Sequence, residues 1–218
     1  MEDKGLLISF EGIDGSGKSS VAKKICDTFN NSQQYDRAFI LVDDVHGSKI
    51  GSEIRTVIMD PANRNMNIRT KALLYAAARG QVFSDAIQPL LDAGDVAVCD
   101  RYVDSTLAYE GYAAGLGIDD VLMINRFAVN DRLPDLTFYF DIDAETGLSR
   151  SLSRVKPDNK DPDVIEYNRL VTEGYHKLIA RDPDRFVVID VSGNKGDVIA
   201  QVEETLKDFL AKHPESLL

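Results

Sequence analysis

The sequence predicts a three-layer α/β fold, a five-stranded parallel sheet flanked by helices. Its apolar runs, residues 6–10, 38–42, 96–99, 136–140 and 186–189, are short and nearly free of polar alternation. That is the pattern of strands buried on both faces. Longer stretches of helical character lie between and after them, over 19–30, 70–93, 119–129, 144–154, 162–181 and 197–212. Strand alternating with helix selects one sheet with right-handed crossovers. Ligands of such sheets sit beyond the carboxyl ends of the strands.

At 218 residues the chain is expected to form a single domain, 1–218, with its own core. Its 25 Lys+Arg against 36 Asp+Glu give a net charge of −11. This argues against a nucleic-acid coat or a membrane-surface protein, both of which need basic patches. It leaves room for a small phosphate ester, which needs only a local positive site. Cys26 and Cys99 are too few and too far apart for a metal knuckle or a disulfide framework. No apolar run approaches the roughly 20 residues of a membrane span. The opening MEDKGLLISF lacks the apolar region of a signal peptide. The expected location is cytoplasmic.

Two segments break the strand–helix rhythm. Residues 42–52 hold acids, a histidine and two glycines, and read as a loop near the strand ends. Residues 154–162, RVKPDNKDP, carry two prolines and alternating charge between two helices. They read as a short mobile lid over about 150–162. The tail, 213–218, is expected to fray.

The strand–loop–helix LLISFEGIDGSGKSS fits G-x-x-x-x-G-K-[ST] from Gly12 to Ser19. Glycines let the backbone turn tightly and aim N–H groups at phosphate oxygens. The helix that follows adds its positive N-terminus. Lys18 would meet the transferring phosphoryl group, and Ser19 would offer a hydroxyl to Mg²⁺. The motif implies a nucleoside triphosphate and a P-loop fold, and leaves the acceptor open. No N-K-x-D follows residues 136–143 or 186–194, which argues against a GTPase. The chain is short for a motor ATPase, so a small-molecule kinase remains.

From Phe10 onward the chain resembles bacterial thymidylate kinases of the P-loop nucleoside-monophosphate kinase superfamily. The resemblance rests on FEGIDGSGKSS, IGSEIR at 50–55, ALLYAAARGQ at 72–81, CDRYVDSTLAYEGYAAGLG at 99–117, and the stretches 126–150 and 171–190. It implies phosphorylation of dTMP to dTDP by ATP with Mg²⁺, in a homodimer joined through helices. The stretch 70–93 offers the apolar candidate face. Gly12, Asp14, Gly15, Ser16, Gly17, Lys18, Ser19 and Ser20 would then hold ATP, with Ser19 and Asp100 on Mg²⁺. The resemblance gives Arg101 to the acceptor phosphate, Asp14 to the sugar 3′-hydroxyl, and Tyr75 to stacking on the base. It gives Arg79, one helical turn on, to a base carbonyl, and Tyr109 to the sugar. Ser105 and Asp104 belong to the same segment. Arg150 matches an arginine placed near the donor. Relatives with Gly at the position of Gly15 place a catalytic cation in the lid, so Arg150, Arg154, Lys156 and Lys160 are candidates.

The chain departs from the family twice. Where relatives read R-E-P-G-G-T, it has Asp43-Asp44-Val45-His46-Gly47-Ser48, with His46 and Lys49 as possible substitute cations. Where relatives carry a glutamine that reads thymine, it has Glu110. An ionised glutamate only accepts hydrogen bonds. It would take thymine N3–H, and would suit the donors of guanine or cytosine at least as well. Another deoxynucleoside monophosphate, or a non-catalytic nucleotide-binding role, therefore stand as alternatives.

Overall fold

A computed structural model describes residues 5–32, 34–43, 47–152 and 162–212. Strand β1 (Leu6–Glu11) is buried along its whole length. It is the middle of a five-stranded sheet of order β2-β3-β1-β4-β5, all parallel, with β2 Phe39–Asp43, β3 Val96–Asp100, β4 Leu136–Asp141 and β5 Phe186–Asp190. β3 and β4 are buried up to their last residues, Asp100 and Asp141, because helices cover both faces. The two edge strands depart from the expected double burial. Ile40 and Leu41 of β2 and Val188 of β5 are exposed, since an edge has a neighbour on one side only.

The register sets Phe10 of β1 opposite Asp100 of β3, and Asp100 opposite Asp43 of β2. The loops after β1 and β3 leave in opposite directions, so a crevice opens between those strand ends.

The helices are α1 Lys18–Asn31, α2 Lys49–Met59, α3 Ile68–Val82, α4 Gln88–Ala93, α5 Val103–Thr106, α6 Ile118–Ala128, α7 Ala144–Leu152, α8 Pro162–Arg181 and α9 Lys195–Lys212. Two expectations change. The expected loop 42–52 already contains the start of α2, because the Ser48 hydroxyl caps it by accepting from Gly51 N–H at 2.9 Å. The expected helix 70–93 begins at Ile68, capped by Asn67, and widens into a π turn at Phe83–Ile87 before α4. Pro89, with no N–H to give, explains the break in regular bonding. A second π-helical segment, Leu107–Ala113, follows α5 and went unread in the sequence. Helix 144–154 is described only to Leu152, and most of the expected lid, 153–161, lies outside the described residues. So does the tail 213–218.

Cys26 and Cys99 are both buried in the core. Among the described residues no helix is long and apolar enough to cross a membrane.

One buried ion pair ties α5 to the sheet. Arg185, just before β5, grips both Asp104 oxygens at 2.6 and 3.0 Å and donates to the Thr137 hydroxyl at 2.9 Å. Asp104 is 1% exposed. Removing one partner from such a pair leaves a charge without water or counter-ion, at about 3–5 kcal/mol. Arg185→Met is therefore expected to lower stability by that amount, read as a fall in the urea midpoint, whereas the pairwise swap Arg185→Met with Asp104→Leu recovers most of it.

Candidate active site

The chain leaves β1 through a loop that repeatedly needs left-handed backbone. Gly12, Gly15 and Gly17 all have positive φ. At Gly15 the requirement is also steric. A Cβ there would lie 2.0 Å from the Gly147 carbonyl oxygen of α7. No side chain fits at position 15 while α7 packs on the loop, which accounts for glycine there.

Helix α1 then starts without a side-chain cap, its N-cap being Gly17. Its first N–H groups are thus available to an anion. Lys18, 6% exposed, stands beside them, 3.8 Å from Asp14. Burial, then repulsion from Arg101, pulls the Lys18 ammonium down to about 8. The Ser16 hydroxyl oxygen is buried with no hydrogen-bond partner among the described residues. These features suit a phosphate chain.

The end of β3 supplies the facing wall. Asp100 Oδ1 is likewise buried and without a partner among the described residues. Asp100 and Ser19 line the same cleft. A hydroxyl and a carboxylate at a phosphate site are hard oxygen donors that suit Mg²⁺, which keeps water and phosphate oxygens as its other ligands. Among the described residues no group of three His, Cys, Asp or Glu is placed to hold a metal ion.

Arg101 follows with φ 71, a left-handed conformation in a non-glycine residue. Its guanidinium reaches Asp14 at 2.6 Å and the Ser105 hydroxyl at 3.1 Å, and lies 5.3 Å from the Tyr109 ring centre.

The cleft, about 490 Å³, runs from Lys18 and Arg101 to a far end formed by Tyr75, Arg79, Lys71, Glu110 and Tyr167. Arg79 is 1% exposed, bonded to the Asn125 side chain of α6 and 5.8 Å from the Tyr102 ring centre. Glu110, 3% exposed, meets the Lys71 ammonium at 3.4 Å. Burial pushes the Glu110 carboxyl up, and Lys71, with Arg79 behind it, pulls the other way.

The sequence profile of the thymidylate kinase family matches residues 10–202. The chain belongs to the thymidylate kinase family. A thymidylate kinase of Bacillus pumilus is 41% identical over 211 residues, covering 96% of this chain and 98% of that one. One of Lactobacillus acidophilus is 43% identical over 212 residues, covering 96% and 97%. A solved structure of thymidylate kinase from Ehrlichia chaffeensis superposes with a TM-score of 0.76 at 23% identity, over 93% of this chain and 98% of that chain. It matches the P-loop kinase fold described above.

Most of the residues expected at the site meet in this one cleft: Asp14, Lys18, Ser19, Tyr75, Arg79, Asp100, Arg101, Ser105, Tyr109 and Glu110 all line it. Two expected residues point elsewhere. Arg150 donates to the Val191 carbonyl at 3.0 Å, beyond β5, and does not line the cleft. The Ser20 hydroxyl takes a hydrogen bond from Lys195 at the start of α9. Lys49 opens α2 in an exposed position and lies outside the cleft wall, while Asp44 to His46, and Arg154, Lys156 and Lys160, lie outside the described residues.

Sequence reasoning missed Arg55, Lys71, Tyr167 and Glu11. Arg55 lines the cleft from α2 and adds positive potential at Asp14. It supplies a cation near the place where the altered 43–48 loop lacks one. Its signal was present as the last residue of IGSEIR. Lys71 had a signal too, since it lies four residues before Tyr75 and so on the same helical face.

Gly15→Ala should displace α7 and strain the loop. The expected outcome is a folded protein with a lower melting temperature and at least about tenfold weaker binding of a nucleoside triphosphate, by titration calorimetry, because the phosphate-facing N–H groups lose their alignment.

Proposed function

We propose that the chain transfers the γ-phosphoryl group of ATP to dTMP, giving ADP and dTDP, with Mg²⁺. The observation that carries this reading is one continuous cleft with phosphate-binding cations at one end and an aromatic, hydrogen-bonding wall at the other. The donor phosphates would lie on the loop N–H groups and the start of α1. Lys18 offers its charge where negative charge grows in transfer. Arg101 and Arg55 would take the acceptor phosphate. That phosphate displaces Asp14 from Arg101, which frees the carboxylate for the sugar 3′-hydroxyl. No general base is required, because the attacking phosphate oxygen is already an anion. Ser19 and Asp100 are the residues that would hold Mg²⁺. Held there, the ion would neutralise part of the phosphate charge.

The far wall favours thymine over cytosine and guanine. Lys71 N–H, Glu110 oxygen and Arg79 N–H offer donor, acceptor, donor. Thymine presents O2, N3–H and O4, which is acceptor, donor, acceptor. Cytosine opposes that set at N3 and N4, and guanine at its N2 amino group, whereas uracil presents the same edge as thymine. Lys71 also supplies the partner that a glutamate, unlike a glutamine, needs on its remaining acceptor sites. Tyr75, 5.8 Å from the Lys71 ammonium, offers its ring to the base.

We further infer a homodimer and a cytoplasmic location. Leu73 of α3 and Met123 and Phe127 of α6 are exposed on two helices that pack together, and Phe127 is 92% exposed. An exposed apolar face of this kind suits a second copy of the chain. The expected face at 70–93 thus narrows to α3, with α6 beside it.

ADP release measured over a panel of nucleoside monophosphates tests the reading. dTMP should give the highest kcat/KM, and preference for dGMP or dCMP would overturn it. Lys71→Met strands Glu110 in a buried position. It should cost about tenfold to a hundredfold in kcat/KM for dTMP, by the roughly 1–3 kcal/mol of an unpaired buried group. Adding Glu110→Gln should recover most of that loss.

Lys18 gives a pH dependence of defined sign. It is charged below about 8 in the free enzyme and loses its proton above. The kcat/KM for ATP should therefore fall as pH rises through about 8. Bound phosphates favour the ammonium, so kcat should fall only at higher pH.

A further inference from the structure

Glu11 is the last residue of β1, one position before the phosphate loop, and it is fully buried. The mechanism above makes no use of it, yet its carboxylate collects four hydrogen bonds. Oε1 accepts from the Ser9 hydroxyl at 2.7 Å and from the Tyr102 backbone N–H at 2.7 Å. Oε2 accepts from the Ser105 hydroxyl at 2.6 Å and from the Tyr175 hydroxyl of α8 at 2.9 Å. An ionised carboxylate has about four lone-pair sites, so this set of donors fills it.

Two of the four bonds lead to Arg101. On the backbone side, the N–H of Arg101 donates to the Phe10 carbonyl at 3.1 Å, and the next N–H, of Tyr102, donates to Glu11. The end of β1 thus grips consecutive amides on either side of the left-handed Arg101 backbone. Such a conformation persists only where its surroundings over-determine it. On the side-chain side, Arg101 Nη1 donates to the Ser105 oxygen at 3.1 Å, and Ser105 passes its own proton on to Glu11. Each step of this chain runs from donor to acceptor, and only a group that accepts at every site can end it. The nearby charges are Asp104, whose carboxylate is held by Arg185, Arg101 itself and Lys18.

We propose that Glu11 is a positioning residue for Arg101: its carboxylate fixes the Arg101 backbone through Tyr102 N–H and the guanidinium through Ser105, and so aims Arg101 at the acceptor phosphate. The inference rests on the reading of Arg101 as the acceptor-phosphate cation. Burial raises the Glu11 carboxyl to about 6, which shows that the site holds this charge at a cost that the surrounding donors offset in part.

A double-mutant cycle tests it, with KM for dTMP, KM for ATP and kcat measured for Glu11→Gln, Arg101→Ala and both together. An amide at position 11 forces at least one hydroxyl of the set to reverse, which breaks the chain from Arg101. Glu11→Gln is expected to raise KM for dTMP by about tenfold or more, the scale of a lost charge-assisted bond. KM for ATP should stay within about twofold, because the cycle isolates a path through Arg101 rather than general loosening of the adjacent loop. In the Arg101→Ala background the same substitution should add less than about twofold, since coupled residues are not additive. Equal losses in both backgrounds, or a matching rise in KM for ATP, would overturn the proposal. If Arg101→Ala alone leaves KM for dTMP unchanged, the assignment of Arg101 fails first and the proposal falls with it. Should Glu11→Gln fail to fold, Tyr175→Phe removes one donor with little change of shape. It should raise KM for dTMP by about threefold or more, and only while Arg101 is present, as expected for loss of one bond in a shared network. No change there counts against the proposal.

Discussion

The pairing of β1 with β3 is the constraint on which the rest of the site depends. Parallel register places Phe10 beside Asp100, so two loops that are about ninety residues apart in sequence leave the sheet side by side. One carries the phosphate loop, the other Asp100 and Arg101. Neither loop makes a site alone. The neighbouring strand β2 adds Asp43 at its end, and the helices that cover the sheet bring Arg55 from α2, Lys71, Tyr75 and Arg79 from α3, and Tyr167 from α8 to the walls of the crevice.

A chain with net charge −11 builds its cleft around five cations, Lys18, Arg55, Lys71, Arg79 and Arg101. The overall charge says little about such a site, because fields at short range in a low-dielectric wall outweigh distant surface acids. Several of these cations have an oxygen partner in place. Lys18 and Arg101 face Asp14, Lys71 faces Glu110, and Arg79 meets Asn125. Those partners fix the side chains before any ligand arrives, which lowers the ordering cost of binding. On the proposed reading they also set a threshold, since an acceptor phosphate would have to bind Arg101 better than Asp14 does.

The parts of this design that were legible in the sequence are those written in local pattern. The phosphate loop follows from glycine spacing, and the five strands from unbroken apolar runs. Asp100, Arg101 and Tyr75 were visible through family motifs. What escaped was set by packing at long range. Pro89 gives no sign of whether a helix will end or widen, and here it widens. The start of α2 hid inside a polar stretch because Ser48 serves equally well as a loop residue or as a cap. Glu110 looked like a mismatch until Lys71, 39 positions earlier in the sequence, was found against it. Glu11 sat in plain view inside the first motif. Its function in the structure depends on Tyr102, Ser105 and Tyr175, none of which local spacing connects to it.

The contact between Gly15 and Gly147 ties two distant positions of this chain to one constraint on substitution. With the carbonyl of Gly147 2.0 Å from where a Cβ would be, position 15 and helix α7 are a single unit of inheritance. A larger residue at 15 is not one mutation away, because α7 must move first. Conversely, Gly147 has its own tight neighbour, since a Cβ on it would stand 2.7 Å from the Ile13 Cδ1 methyl. A side chain at 15 or at 147 thus demands a compensating shift in the other element, so in this chain the loop and α7 can change only together.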